Sequence, residues 1–142
     1  MNNQANLVQQ APESRSRELV KHRLNGTAGA PATPEIDHWV LQLWGVERAH
    51  LSDPETLNVL LKGVVEELRL TRVSDHTHFF GPGVSTVIIL SESHLSAHTW
   101  PELGYMHVDM VTCVKKLSHT RLESVFRRIF TPDKLQLDQL EY

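Results

Sequence analysis

The sequence is short of cysteine and of long apolar runs, and each shortage excludes a class of protein. Cys113 is the only cysteine in 142 residues, which excludes an internal disulfide and a C-x-x-C metal site. No apolar run approaches the roughly 20 residues that cross a bilayer. The first thirty residues lack the apolar core of a secretory signal. We therefore expect a cytoplasmic protein that has no membrane partner.

Clustered positive charge is also missing. The formal net charge is -3, and the 14 Lys and Arg residues are scattered along the chain. Binding of nucleic acid needs a basic face that can hold phosphates, so we expect no nucleic-acid partner. The apolar fraction of 40% and the charged fraction of 22% are typical of a globular protein, and the length suits one folded domain.

The composition changes near residue 36. Residues 1–35 are rich in Gln, Asn, Ser, Ala, Pro and Gly, and the run "GTAGAPATP" (Gly26 to Pro34) is unfavourable for helices and strands. The sequence therefore predicts a disordered N-terminal extension, residues 1–35, followed by one domain, residues 36–142.

Hydrophobic periodicity predicts strands and two helices in that domain. The alternation in "HWVLQLWGV" (His38 to Val46) predicts a strand with Trp39, Leu41 and Leu43 on one side. Asp53 before Pro54 predicts the start of an amphipathic helix, and Thr120 with Glu123 predicts a capping box for a second helix. Further strands are predicted at about residues 71–80, 84–92, 94–100, 105–113 and 134–140.

This order, β-α-β-β-β-β-α-β, has short connections between the middle strands. Short connections join antiparallel neighbours, and two amphipathic helices can cover one face of such a sheet. The predicted fold class is α+β, a two-layer sandwich with an antiparallel sheet and two helices on one face. The run Val87 to Leu90 is apolar on both faces of its strand, which leaves apolar surface for a partner and favours a homodimer.

Polar residues crowd the segment "SESHLSAHTWPE" (Ser91 to Glu102), directly behind this apolar strand. In one continuous strand, Ser85 and Ser93 would share a face. A serine hydroxyl there can act as a nucleophile if a base is near, and His94 or His98 could supply that base. A hydrated turn with surface hydrogen bonds is the alternative. A metal site is not expected, because no carboxylate or thiol completes a known ligand spacing.

Several short motifs together resemble a known family. They are "GVS" (Gly83 to Ser85), "SESH" (Ser91 to His94) and "HTWPE" (His98 to Glu102), followed by Tyr105, Asp109, Thr112 and Cys113. This pattern resembles the signature of the bacterial and archaeal S-adenosylmethionine decarboxylases, the pyruvoyl enzymes of polyamine synthesis. The resemblance extends from about residue 36 to the C-terminus.

The resemblance implies that the chain cuts itself between Glu92 and Ser93. Ser93 then becomes a pyruvoyl group, the cofactor, which forms a Schiff base with the substrate. His98 is implied as the proton acceptor in processing, assisted by Ser85. Strand alternation places His98 and Ser93 on opposite faces, so we expect a bulge or tight turn between them. Cys113 is implied as the proton donor in decarboxylation; by default such a cysteine would be a small buried apolar residue.

The resemblance also implies a substrate site and partners. Glu102 matches a carboxylate that holds ribose hydroxyls, and Phe79 matches a ring that lies against adenine, although core packing is the ordinary role of a strand phenylalanine. The partners implied are a small-molecule substrate and a second copy of the cleaved chain. Two other functions stay open: pyruvoyl chemistry on arginine or ornithine, and a non-catalytic regulatory homologue that is never processed.

Overall fold

The computed structural model describes residues 29, 31–113 and 117–141, and Pro34–Tyr142 form one compact unit. The expectation of disorder in residues 1–35 therefore lies almost entirely outside the described residues. Within the described ranges, every helix is too short or too polar to span a bilayer.

Six strands and three helices make up the described part of the chain. The strands are β1 (Asp37–Trp44), β2 (Arg72–Phe79), β3 (Val84–Leu90), β4 (Ser93–Trp100), β5 (Tyr105–Thr112) and β6 (Lys134–Leu140). The helices are α1 (Arg48–Ser52), α2 (Pro54–Glu67) and α3 (His119–Phe130), with a 3₁₀ turn at Pro101–Leu103. The predicted order of strands and long helices is confirmed, and the short helix α1 is an addition.

The strands form one antiparallel sheet in the order β2-β3-β4-β5-β1-β6. Strands β2 to β5 follow one another as neighbours because their connections are short. Strand β1 is inserted between β5 and β6, so both ends of the domain meet in the sheet. The predicted α+β sandwich is confirmed.

The core lies between the helices and one face of the sheet. Trp39, Leu41 and Leu43 of β1 are buried there, as their alternation predicts. From the helices, Leu61 and Phe126 are fully buried against them. Burial of each such side chain contributes about 1.5–3 kcal/mol to stability, so the helix-covered face holds the sheet in place.

The start of α2 confirms one capping prediction. The carboxylate of Asp53 accepts a hydrogen bond from the backbone N–H of Thr56 at 2.9 Å, and Pro54 occupies the first turn. The Thr56 hydroxyl donates to the same carboxylate, and these hydrogen bonds lower the pKa of Asp53, because they favour its ionised form. Asp53 is therefore charged at neutral pH and caps the helix.

The start of α3 differs from its prediction. The capping box at Thr120 and Glu123 is wrong, because the N-cap is Ser118, whose hydroxyl accepts from the backbone N–H of Arg121 at 3.3 Å. Glu123 instead accepts a hydrogen bond from Arg127 at 2.8 Å, one turn further along the helix. Ser118 directly precedes the helix, so its hydroxyl can reach the third helical N–H, whereas Thr120 already lies in the first turn of the helix.

The opposite face of the sheet, here called the open face, carries no helix of the described residues. Val87 and Ile89 of β3 point to it and are 38% and 44% exposed, while Ile88 and Leu90 point into the core. The prediction that this strand is apolar on both sides is confirmed. Aliphatic side chains on an exposed sheet face provide a surface that suits a protein partner.

Candidate active site

The polar segment Ser91 to Glu102 forms the turn between β3 and β4, the whole of β4 and the start of the 3₁₀ turn. Leu90 pairs with Ser93, so Ser91 and Glu92 are the two turn residues. We call the group Glu92, Ser93, His94 and Cys113 the turn end. The other end of β4, at His98, is described below.

Ser93 has a strained backbone at the turn end. Its φ is +146°, in a region that only glycine enters freely, and such a residue costs on the order of 1–3 kcal/mol. Two-residue hairpin turns normally contain glycine, asparagine or aspartate, because their turn residues need positive φ. Ser91 and Glu92 supply neither glycine nor positive φ, and the unusual angle falls on the next residue. The strain therefore lies beside the Glu92–Ser93 peptide bond.

Hydrogen bonds hold this turn on both sides. The carbonyl oxygen of Glu92 accepts from the backbone N–H of Cys113 at 2.9 Å. The carboxylate of Glu92 accepts from the N–H of Thr71 at 3.0 Å, and the N–H of Ser91 donates to the Thr71 carbonyl at 2.9 Å. A carbonyl held by an N–H donor is fixed in place, and the same N–H lies where negative charge on that oxygen would be stabilised.

The Ser93 hydroxyl has a base beside it. Its Oγ lies 3.2 Å from Nδ1 of His94, the next residue in the chain. Cys113 is a free, exposed thiol and follows Thr112, the residue opposite Ser93 on β5. The turn end thus combines a hydroxyl nucleophile, an imidazole, a thiol and a polarised carbonyl.

A second group of predicted site residues lies at the other end of β4, here called the cavity end. Oγ of Ser85 lies 2.7 Å from Nδ1 of His98, its register partner. Both residues line a cavity of about 300 Å³, together with Glu102, Phe80 and Trp100. This volume is at the lower limit of small-molecule sites.

Thr99 and Gly83 shape the cavity end. The buried hydroxyl of Thr99 accepts from the N–H of Val84 at 2.9 Å and donates to the carbonyl of Leu51 at 2.7 Å. A β-carbon on Gly83 would lie 2.6 Å from the carbonyl oxygen of Thr99, so only glycine fits this close approach. These contacts fix the start of β3 against β4 and keep Ser85 opposite His98.

The two phenylalanines at the end of β2 lie in different places. Phe80 lines the cavity and packs edge-on against His78, with ring centroids 4.6 Å apart. Phe79 pairs with Val84, is half exposed, and does not line this cavity. Sequence reasoning missed Phe80 and Trp100. Alternation along β2 is the signal that could have found Phe80, because His78 is the register partner of Ser85.

The structure separates Ser93 from His98 and Ser85. The prediction that Ser85 and Ser93 share a strand face is wrong, because the chain reverses at Ser91 and Glu92. The register then pairs Ser85 with the exposed His98 but Ser93 with the core residue Leu90, on opposite faces of the sheet. The predicted bulge between Ser93 and His98 is also absent, since β4 pairs with β5 without interruption from Ser93 to Trp100. Five residues of strand separate Ser93 from His98, which corresponds to about 17 Å.

Comparison with known proteins identifies the family. A model of the family described as S-adenosylmethionine decarboxylase matches residues 37–141. The S-adenosylmethionine decarboxylase proenzyme of Methanococcus vannielii is 38% identical over 101 residues, which cover 70% of this chain and 83% of that protein. The proenzyme of Sulfurihydrogenibium sp. is 43% identical over 77 residues, 54% of this chain and 58% of that protein.

Solved structures agree with this comparison. The crystal structure of the adenosylmethionine decarboxylase from Aquifex aeolicus is similar with a TM-score of 0.67 and 31% identity, covering 78% of this chain and 92% of that one. The resemblance read from the sequence motifs is therefore confirmed. From the matched residues, the relatives and the shared fold, this chain belongs to the S-adenosylmethionine decarboxylase family.

Proposed function

We propose that this protein is a proenzyme that cuts itself between Glu92 and Ser93 and then decarboxylates S-adenosylmethionine, for use of the product in spermidine synthesis. The observation that carries the proposal is the turn end, where a strained Ser93 stands beside a carbonyl held by an N–H donor. Membership of the family supports the substrate, and residues 36–142 would form the catalytic domain.

The cleavage needs no group from outside the protein except water. Oγ of Ser93 attacks the carbonyl carbon of Glu92 while its proton leaves to a base, and the Cys113 N–H stabilises the negative charge on the carbonyl oxygen. The C–N bond then breaks, its nitrogen takes a proton, and an ester remains. Removal of the α-hydrogen of Ser93 then breaks the Cβ–Oγ bond and releases residue 92 with a free main-chain carboxylate. Water finally replaces the nitrogen of residue 93, which leaves a terminal keto group and releases ammonia.

Such a keto group at residue 93 would supply an electron-withdrawing carbonyl able to condense with the substrate amine and to take up the electron pair left by departing CO2. The protein must then give a proton to the α-carbon of the substrate that has lost CO2. We assign this proton to the Cys113 thiol, which is exposed and follows the residue opposite Ser93. We place the enzyme in the cytoplasm, because reducing conditions there keep a free thiol in its active form.

The cavity end supports substrate binding. We propose that Glu102 accepts hydrogen bonds from the ribose hydroxyls, since a carboxylate can hold two neighbouring hydroxyl donors. For the adenine ring we propose Phe79, as the resemblance implies, together with Phe80, which lines the cavity. An aromatic face near the bound sulfonium would also attract its positive charge.

We propose a homodimer, because one chain does not bring its two site groups together. His98 lies about 17 Å along the strand from its own Ser93, and the exposed Val87 and Ile89 lie between the two ends. If two copies meet on their open faces with antiparallel β4 strands, a twofold axis sets the turn end of each copy over the cavity end of the other. Each site would then take His98, Ser85 and Glu102 from the partner subunit.

The proposed activity is tested on purified wild-type protein. Intact mass spectrometry should show two fragments, residues 1–92 and 93–142, with a hydrazine-reactive carbonyl on the second. Labelled CO2 should be released from S-adenosylmethionine and not from arginine or ornithine. Release from arginine or ornithine instead would retain the pyruvoyl chemistry and overturn the substrate. A chain that stays whole would favour the regulatory homologue.

The homodimer is tested by mixing two inactive chains. We co-synthesise a Ser93→Ala chain, which keeps His98, with a His98→Ala chain, which keeps Ser93. If His98 acts across the dimer, the His98→Ala chain is cleaved only when the Ser93→Ala chain is present. If His98 acts within its own chain, neither chain is cleaved in the mixture, and the shared site is refuted.

A further inference from the structure

His94 contacts the reacting oxygen of Ser93 but has no part in the chemistry that the family resemblance implies. We propose that His94 is the base that takes the proton from Ser93 Oγ in the first step of self-cleavage. This inference rests on the proposed function and adds a catalytic residue to it. The partner's His98 then acts in a later step.

The geometry supports His94 for the first step. A general base must lie within hydrogen-bond reach of the proton it removes, and Nδ1 of His94 lies 3.2 Å from Ser93 Oγ. His98 is committed to Ser85 at 2.7 Å, about 17 Å further along the strand. The nucleophile, the base and the oxyanion donor of Cys113 therefore stand at one turn of one chain.

The neighbours of His94 restrict its ring. Its register partners are Ile89 on β3 and Val111 on β5, so branched apolar side chains stand on both sides of it. Residues that are directly opposite in a sheet have β-carbons about 5 Å apart and pack against each other. Partial burial between two such side chains limits the rotamers of the imidazole, which favours the one that reaches Ser93.

The proton transfers balance within the turn. Nδ1 of His94 takes the hydroxyl proton while Oγ bonds to the carbonyl carbon of Glu92. The imidazolium returns that proton to the nitrogen of Ser93 as the C–N bond breaks, so an amide becomes an ester with no net gain or loss. Removal of the α-hydrogen comes afterwards, and this is the step left to His98 of the partner subunit. The two histidines therefore serve successive steps.

Two substitutions separate a base from a structural contact. His94→Ala removes the imidazole, whereas His94→Asn keeps a side-chain hydrogen-bonding group near the position of Nδ1 that cannot take up a proton. The control is His76→Ala, an exposed histidine of the edge strand β2. Each protein is made by cell-free synthesis and its cleavage is followed by intact mass. Both His94 variants should be cleaved at least about 100-fold more slowly than wild type, and the control at the wild-type rate.

Hydroxylamine identifies which step has failed, because it cuts esters and leaves ordinary amides intact. The His98→Ala chain should accumulate the ester and split into residues 1–92 and 93–142 when hydroxylamine is added. The His94→Ala chain should stay whole under the same treatment, and imidazole added to the buffer should restore part of its cleavage. Wild-type rates in His94→Asn, or an ester in His94→Ala, would overturn the role of His94. Uncleaved wild-type protein would instead refute the proposed function itself.

Discussion

The turn end and the cavity end of β4 share one strand and one pair of residue types, serine with histidine, yet they are built differently. At the turn end Ser93 is strained. The Cys113 N–H donates to the carbonyl oxygen of Glu92, and the Thr71 N–H donates to the Glu92 side chain. At the cavity end Ser85 and His98 stand in regular register at the edge of an open cavity.

This contrast separates the two features that could make Ser93 reactive toward its own backbone, a nearby imidazole and a strained conformation. A Ser-His hydrogen bond is present at both ends and is even shorter at Ser85, 2.7 Å against 3.2 Å. The carbonyl before each serine accepts a hydrogen bond, from the Cys113 N–H at Glu92 and from the Thr99 hydroxyl at Val84. Of the two serines, only Ser93 has an unfavourable φ. We therefore expect backbone strain, rather than the proximity of an imidazole, to distinguish the proposed cleavage site.

Ser93→Ala should have the largest effect on self-cleavage of all the proposed substitutions. Without the hydroxyl there is no nucleophile, so we expect no cleavage at all and a single chain of 142 residues by intact mass. Ser96→Ala removes another hydroxyl from the same strand and should be cleaved as wild type. Cleavage of the Ser93→Ala chain would show that the bond has been placed wrongly.

Cys113→Ala separates the two roles that we assign to Cys113: its backbone N–H acts in self-cleavage and its thiol in decarboxylation. Its backbone N–H remains, so self-cleavage should proceed normally. Its thiol is lost, so turnover of S-adenosylmethionine should fall about 100-fold or more. Self-cleavage and turnover are measured on the same preparation, the first by intact mass and the second by release of labelled CO2. Normal product formation by this variant would remove the thiol from the mechanism.

Glu102→Gln tests the cavity end alone. A hydrogen bond to a charged group contributes about 1.5–3 kcal/mol, so we expect KM for S-adenosylmethionine to rise roughly tenfold or more with normal self-cleavage. Glu66→Gln, an exposed carboxylate on α2, is the control. An unchanged KM would place the ribose elsewhere.

Glu92→Ala should have the smallest effect on self-cleavage. It tests whether the Glu92 side chain helps to fix the turn in place. It removes the hydrogen bond from the Thr71 N–H, which contributes about 1 kcal/mol, so we expect self-cleavage to slow roughly fivefold. Glu92→Gln keeps an oxygen acceptor and should be cleaved almost as fast as wild type. Equal rates in both variants would show that the side chain does not help to position the bond.

Periodicity predicted the fold well because burial of one sheet face and one helix side leaves a direct record in the sequence. The alternation in β1 and the Asp53-Pro54 start of α2 were both read correctly. The start of α3 was missed, since Ser118 and Thr120 both suit an N-cap and only the position of the first helical N–H groups decides between them.

The motifs predict a set of candidate site residues but not their arrangement. The motifs brought out Ser85, Ser93 and His98, yet their relative positions depend on where a two-residue turn reverses the chain. An error of one residue in the assumed length of a strand assigns every later side chain to the wrong face of the sheet. The contact between Ser93 and His94 needs no long-range information, because the two residues are neighbours.

The inserted position of β1 has a consequence for the proposed cut between Glu92 and Ser93. After that cut, one product would contribute β1 to β3 and the other β4 to β6, with β1 paired between β5 and β6 of the other product. We therefore expect the cut protein to stay assembled without a covalent link. Once unfolded, it would have to reassemble from two separate molecules, so its recovery on cooling should fall with dilution, whereas the uncut chain carries all six described strands in one molecule.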